Sequence, residues 1–193
     1  MQRAYDAGAD PNVLDIGTRS PLHLATEAGH HRVVRVLLLK GAHVDKSTCF
    51  ADTPLHLAAS KGHTLCVCKL LLGGADKDRA GSFLGTTPLF IAAEHNHLGV
   101  IKKLLTAGAD SCRPDLGYSP FDIAARRGHV NVLKAFLETG TEVVAATDQY
   151  RWTALHRAAS GMPSLDNRAA VGVLLEAGGD VNARATCRNL YTP

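Results

Sequence analysis

Histidine and cysteine are the residue types in this sequence whose side chains could bind a metal ion or act in catalysis. The 193 residues include 10 His and 5 Cys, and three of these, His63, Cys66 and Cys68, lie close together. A structural zinc site needs four ligands that converge in a tetrahedron. On a helix the two thiols diverge, because two residues correspond to about 200° of rotation. We therefore expect no metal here and predict that Cys66 is a small buried hydrophobe and Cys68 an exposed free thiol.

Most of the histidines recur at matching positions instead of converging on one place. Seven of them form two series of equivalent positions, one made of His23, His56 and His156 and the other of His30, His63, His97 and His129. Such recurrence is typical of a structural role, whereas an active site brings different residue types together. The sequence also has no nucleophile elbow and no phosphate-binding loop. These observations predict no enzyme and no cofactor.

Two short phrases recur along the chain with nearly the same period. One begins with a Ser or Thr that precedes a short apolar run, and its steps are 33, 34, 32 and 34 residues; it begins at Ser20, Thr53, Thr87, Ser119 and Thr153. The other is a glycine followed by Ala, Thr or Gly, with steps of 33, 33, 34, 32 and 38 residues, at Gly8, Gly41, Gly74, Gly108, Gly140 and Gly178. Two independent anchors with one period predict a tandem repeat.

Each repeat reads as two short helices and a loop. The Ser or Thr is a helix N-cap, and the Pro that mostly follows it suits the first helical turn. The first helix is predicted to end at a left-handed residue, at Gly29, Gly62, Asn96 and Gly128. The second helix has four apolar positions spaced i, i+1, i+4, i+5, as in Cys66, Val67, Leu70 and Leu71. In the fifth repeat, Pro163 predicts a loop from Gly161 to Asn167.

The period and the phrase Thr-Pro-Leu-His-x-Ala, intact from Thr53 to Ala58, resemble the ankyrin repeat. The resemblance implies an all-α fold, an ankyrin-repeat solenoid of stacked helix-turn-helix units with projecting β-hairpin loops. It places one ankyrin repeat domain at 1–193. The five full repeats are predicted at 17–48, 49–82, 83–115, 116–148 and 149–188, with partial repeats at 1–16 and 189–193. Since neither end has a polar capping repeat, we expect the chain to be a fragment of a longer one.

The resemblance also implies a function, because the family binds other proteins through its hairpin tips and concave first-helix face. It predicts a protein-binding scaffold or adaptor or, alternatively, an ankyrin targeting or regulatory segment of a larger multidomain enzyme or channel. The predicted partner-binding residues are the apolar and aromatic side chains near the tips and two arginines of a first helix, namely Phe50, Leu84, Leu116, Tyr118, Tyr150, Trp152, Arg126 and Arg127. The rings bind a partner, pack on neighbouring hairpins, or do both.

A modification site is a further implication of the resemblance. Asn182 resembles hairpin asparagines that are hydroxylated in some members of the family. The alternative is a turn asparagine that hydrogen-bonds its own backbone.

Charge and composition limit the classes of partner and the cellular compartments that we expect. The net charge of +3 is small and its cations are scattered along the chain, so we expect no nucleic-acid binding. No apolar run approaches the roughly 20 residues that span a bilayer, so no membrane insertion is expected. The odd cysteine count and the lack of a secretory signal favour a reducing compartment, cytoplasmic or nuclear. We expect a monomer whose partner is another protein.

Overall fold

The structure is a computed structural model that describes residues 10–81, 85–111, 117–140, 144, 146–148, 151–161 and 165–185. Residue contacts divide the chain into two compact units, Met1–Ala109 and Asp110–Pro193. Within the described ranges, no helix is both long and apolar enough to cross a membrane.

The described part of the first unit contains three helix pairs. The pairs are α1 (Pro21–Glu27) with α2 (His31–Leu39), α3 (Pro54–Lys61) with α4 (Thr64–Leu72), and α5 (Pro88–Glu94) with α6 (Leu98–Thr106). First helices pack on first helices, α1 on α3 and α3 on α5, and second helices likewise, α2 on α4 and α4 on α6. Each helix therefore buries one face against its own partner and another against a neighbouring repeat.

In the second unit, the described residues form two pairs, α7 (Pro120–Arg127) with α8 (Val130–Glu138), and α9 (Ala154–Ser160) with α10 (Leu165–Glu176). Helix α7 packs on α9, and α8 on α10. The predicted loop from Gly161 to Asn167 is wrong at its end, because α10 already begins at Leu165. The extra turn has a physical reason: it brings the Asn167 amide to the Ala158 carbonyl, to which Nδ2 donates over 3.1 Å. Pro163 lies outside the described residues.

The predicted N-caps are confirmed at every first helix. Ser20, Thr53, Thr87, Ser119 and Thr153 all have extended backbone and directly precede the helix. The third helical residue completes the cap in four of the five repeats by accepting a hydrogen bond from the backbone N–H of the cap residue. This residue is His23, His56, Asp122 or His156. The cap is therefore a reciprocal capping box in which histidine mostly takes the role of glutamate.

Glycine suits the ends of the first helices for two reasons, its left-handed backbone and its lack of a side chain. As predicted, Gly62 has φ of +72°, and Asn96 takes the same conformation with φ of +60°. In addition, a Cβ on Gly62 would lie 2.7 Å from Nδ1 of His97 in the next repeat. The glycine thus leaves room for a neighbouring imidazole as well as turning the chain.

The core lies between the two rows of helices in each unit. Of the four apolar positions predicted in each second helix, the first three are buried or half-buried, with Leu70 and Leu104 fully inaccessible. The fourth is only half-buried at Leu71, and Leu175 remains 41% exposed. Repeated apolar character at this fourth position therefore does not indicate a fully buried side chain.

The loops between repeats are tight turns. In one of them the backbone N–H of Thr48 donates to the Asp52 carbonyl over 2.9 Å, and a turn residue, Ala51, is left-handed with φ of +64°. Among the described residues, β-pairing is limited to one isolated antiparallel bridge between Gly81 and Thr86. In the described residues, the projecting loops thus follow the chain path of a hairpin, but their two arms do not form a regular β-ladder.

Candidate protein-binding surface

Members of both histidine series have structural roles. His56 accepts at Nδ1 from its own cap and its Nε2 lies 3.1 Å from the Thr86 carbonyl in the next loop. His63 and His97 place Nε2 at 3.0 and 2.9 Å from the carbonyls of Glu27 and Ser60, which lie in the last turn of the preceding first helices. Each imidazole therefore ties one repeat to its neighbour.

The cysteine cluster is also structural where it is described. Cys66 is inaccessible to solvent, as predicted, and burial raises the pKa of its thiol. Cys68 is half-buried instead of exposed. In the described part of the chain, no three His, Cys, Asp or Glu side chains come together in a way that could hold a metal ion.

In the first unit, large apolar side chains project from two neighbouring loops. Phe50 is 60% exposed beside the left-handed turn residue. The preceding loop exposes Val13, Leu14 and Ile16, the last of them completely. Exposed apolar groups of this size on one side of a protein are typical of interaction sites. Leu84, the next tip residue in the predicted series, lies outside the described residues.

In the second unit, two of the predicted ring anchors have an intramolecular partner that the sequence analysis missed. The Arg157 guanidinium lies 4.1 Å from the ring centroid of Tyr118 and 4.7 Å from that of Trp152. Both aromatic side chains are half-buried, and Arg157 is only 9% exposed. Both rings therefore pack within the protein, on an arginine of a first helix instead of a neighbouring hairpin, and their binding of a partner stays a prediction. The remaining predicted tip residues of this unit, Leu116 and Tyr150, lie outside the described residues.

Arg157 is held at its edge as well as on its faces. Its Nη2 donates to Oδ2 of Asp148, and the two side chains are 10% and 5% exposed. The other Asp148 oxygen accepts from the Trp152 backbone N–H over 2.9 Å. One aspartate thus fixes both the loop and the arginine on which the rings stack.

A second carboxyl group in this cluster is electrostatically coupled to the arginine. Asp122 takes the place of histidine in its capping box and is 8% exposed. Burial raises its pKa, while hydrogen bonds from Ser119 and the positive charge of Arg157 oppose the shift. Two departures from the repeat pattern, an aspartate for histidine and an arginine for an aliphatic residue, therefore lie in the same cluster.

The sequence did contain a signal for Arg157. The same position of the first helix is aliphatic in the other four repeats, at Leu24, Leu57, Ile91 and Ile123. A single charge in an otherwise aliphatic series indicates a local partner. The matching residue Leu24 is 43% exposed, so in the first unit this helix face presents apolar surface to solvent.

The two predicted arginines of α7 are both exposed. The Arg126 guanidinium lies over the Tyr118 ring, 5.7 Å from its centroid. Arg126, Tyr118, Arg157 and Trp152 thus form a continuous series of cation and ring contacts, which we call the arginine–aromatic stack.

Asn182 is exposed and lines an open cleft with Thr147 and Arg151. The turn around it is closed by Asp180, whose carboxylate accepts from the Asn182 backbone N–H over 2.8 Å. The alternative in which the Asn182 side chain closes its own turn is therefore replaced by an aspartate turn, and modification of Asn182 stays a prediction.

Comparison with known proteins agrees with the repeat geometry. A family model of ankyrin repeats, three copies long, matches residues 1–81, 38–115 and 89–185. No curated protein sequence matches the chain. Since the matches together extend over most of the sequence and the helix pairs fall within the predicted repeats, the chain belongs to the ankyrin repeat family, whose members are generally protein–protein interaction modules.

Proposed function

We propose that the chain is a protein-binding scaffold that holds its partner through the hairpin loops and the first-helix face and catalyses no reaction itself. The observation that carries the proposal is Phe50, an aromatic side chain 60% exposed at a loop tip. The neighbouring loop, whose Gly17 carbonyl accepts from Cys49 Sγ over 3.5 Å, also exposes Val13, Leu14 and Ile16. Aromatic anchors surrounded by smaller apolar groups are a common basis of protein binding.

Two further observations support the proposal. Three histidines at repeat positions, His23, His56 and His156, complete helix caps, and His56, His63 and His97 bond to a neighbouring repeat. This is a structural use of residues that an enzyme would use in catalysis. Cys49, Cys66 and Cys68 are free thiols, which favours a reducing compartment, cytosol or nucleus.

The experiment is a capture comparison with a matched control. The full chain is immobilised as wild type, as Phe50→Ser and as Leu72→Ser, and proteins retained from a cytosolic extract are identified by mass spectrometry. Leu72 is 82% exposed on a second helix, so both substitutions remove one exposed apolar side chain from different surfaces. We expect Phe50→Ser to lose partners that Leu72→Ser retains.

The result has a clear contrary outcome. If Phe50→Ser and wild type retain the same proteins while both remain folded by circular dichroism, the loop tip is not the binding surface. The aromatic residues of the second unit are less suitable probes, because replacing Tyr118 or Trp152 removes a ring from Arg157 and perturbs the fold as well as the surface.

A further inference from the structure

The outer end of the arginine–aromatic stack carries a positive charge that the inner part does not. Arg157 is buried and neutralised by Asp148, whereas Arg126 is exposed. In the part of the chain that the structure describes, no carboxylate lies within ion-pairing distance of Arg126, and its contact is the Tyr118 ring. The stack therefore ends in a guanidinium whose charge no described side chain compensates.

Its contact with the Tyr118 ring suits this guanidinium to binding a carboxylate. A guanidinium that lies over a ring uses its face for the contact and leaves the N–H groups along its edge free. Those N–H groups match the two oxygens of a carboxylate in a bidentate pair. Arg157 shows the corresponding arrangement inside the stack, because its guanidinium lies over two rings while one of its N–H groups donates to Asp148.

From this geometry we infer that the stack binds an acidic segment of the partner protein, with an Asp or Glu carboxylate on the edge of Arg126 and an adjacent apolar group against the half-buried Tyr118. The inference rests on the proposed scaffold function and deepens it by naming the chemistry of the partner. Nucleic acid is disfavoured as the occupant, because a phosphate backbone requires a row of cations. In the described part of this unit the exposed Arg and Lys residues alternate along the chain with the exposed acids Glu138, Glu176 and Asp180.

The experiment selects ligands and then tests the residue. The immobilised full chain is panned against a phage library of random 12-residue peptides, and we expect the selected peptides to be enriched in Asp or Glu relative to the unselected library. One selected peptide is labelled and titrated by fluorescence polarisation. Arg126→Gln is expected to weaken its Kd by about ten-fold or more, since it removes a charge-assisted hydrogen-bond pair.

Two variants serve as controls. Arg168→Gln removes an exposed arginine from α10 of the same unit and is expected to change the Kd by less than about two-fold. Arg126→Lys keeps the charge but not the planar fork, so it is expected to bind more weakly than wild type. Unfolding midpoints of all variants, followed by circular dichroism, show that each remains folded.

Several outcomes would overturn the inference. The peptide selection would do so if no peptide were enriched, or if the enriched peptides lacked acidic residues. The titration would do so if Arg126→Gln bound the peptide as tightly as wild type. A concentration-dependent dimer that Arg126→Gln abolishes would make a second copy of the chain the occupant. Ten-fold tighter binding after the acidic residue is changed to phosphoserine would assign the site to phosphate instead. Because Phe50 lies in the other unit, its capture experiment can succeed while this one fails, and the two proposals are separable.

Discussion

Replacing Arg157 by leucine, the residue type that two other repeats carry at this position, is the most demanding test of the structure. A pattern-based alignment ranks the change as favourable, because it restores the aliphatic series of the first helices. The structure predicts the opposite. Leucine removes the cation that two rings contact, and with it the ion pair that Arg157 forms with the buried carboxylate of Asp148.

The magnitude follows from the burial of the pair. The two side chains are 10% and 5% exposed, and removing one member of such a pair costs about 3–5 kcal/mol. Each lost cation–ring contact adds about 0.5–2 kcal/mol, but these contributions overlap with the first and do not sum. Asp148 keeps its hydrogen bond from the Trp152 backbone, and the new leucine buries apolar surface. We therefore expect a net loss of about 3 kcal/mol in the free energy of unfolding.

The assay uses a probe that the chain provides. Trp152 is the single tryptophan and lies in the cluster, so its fluorescence during urea unfolding reports on the second unit. Far-ultraviolet circular dichroism gives an independent midpoint for the helices. Arg168→Leu, an exposed arginine on α10, is the matched control and is expected to change the free energy by less than about 0.5 kcal/mol.

A double substitution separates the charge from the packing. With Asp148→Asn present, Arg157→Leu no longer removes the counter-charge of a buried carboxylate. The leucine is then expected to lower the free energy of unfolding by about 1 kcal/mol or less. A loss below about 1 kcal/mol for the single variant, or a double variant no more tolerant of the leucine, would refute the buried-pair argument.

Two other predictions concern the first unit. Gly62→Ala places a Cβ 2.7 Å from His97, whereas Gly41→Ala meets no atom within 4 Å at a similar positive φ. In urea unfolding both should lose about 1 kcal/mol from backbone strain, with about 1–3 kcal/mol more for Gly62→Ala; equal losses would contradict the close approach. Burial lowers the pKa of His56 below 6.5, so the native state keeps this imidazole neutral. The free energy of unfolding should therefore fall as the pH drops below about 6.5, by up to about 1.4 kcal/mol per pH unit, whereas His56→Gln should lessen the fall.

The sequence was sufficient for the features that each repeat specifies by itself. Ser119 caps a helix and Gly128 ends it because N-caps and left-handed C-caps depend on residues within one turn. Cys66 could be placed in the core because its position is apolar in the other repeats. Features of this kind follow from local pattern and period alone.

The features that could not be predicted depend on contacts that residues make because their own repeat departs from the shared pattern. The contacts of Tyr118 and Trp152 within the protein could not be predicted, because the residue between them, Arg157, comes from a helix position that is elsewhere aliphatic. The extra turn of α10 depends on Asn167 reaching the Ala158 carbonyl in the preceding helix. Repeat period and helix propensity are assessed one repeat or one segment at a time. A prediction made in this way therefore leaves out the energy of contacts between residues that are distant in the sequence.

The hydrogen bonds between neighbouring repeats in the first unit have a consequence for how the protein is made. The bonds of Asn12, His56, His63 and His97 join residues that are 29 to 37 positions apart in the chain. A ribosome adds that length in roughly 2–7 s at ~5–20 residues per second. Each repeat can therefore dock on the one before it as soon as it clears the exit tunnel, without waiting for distant segments. Synonymous codon changes that alter the local translation rate should consequently have little effect on the yield of folded protein.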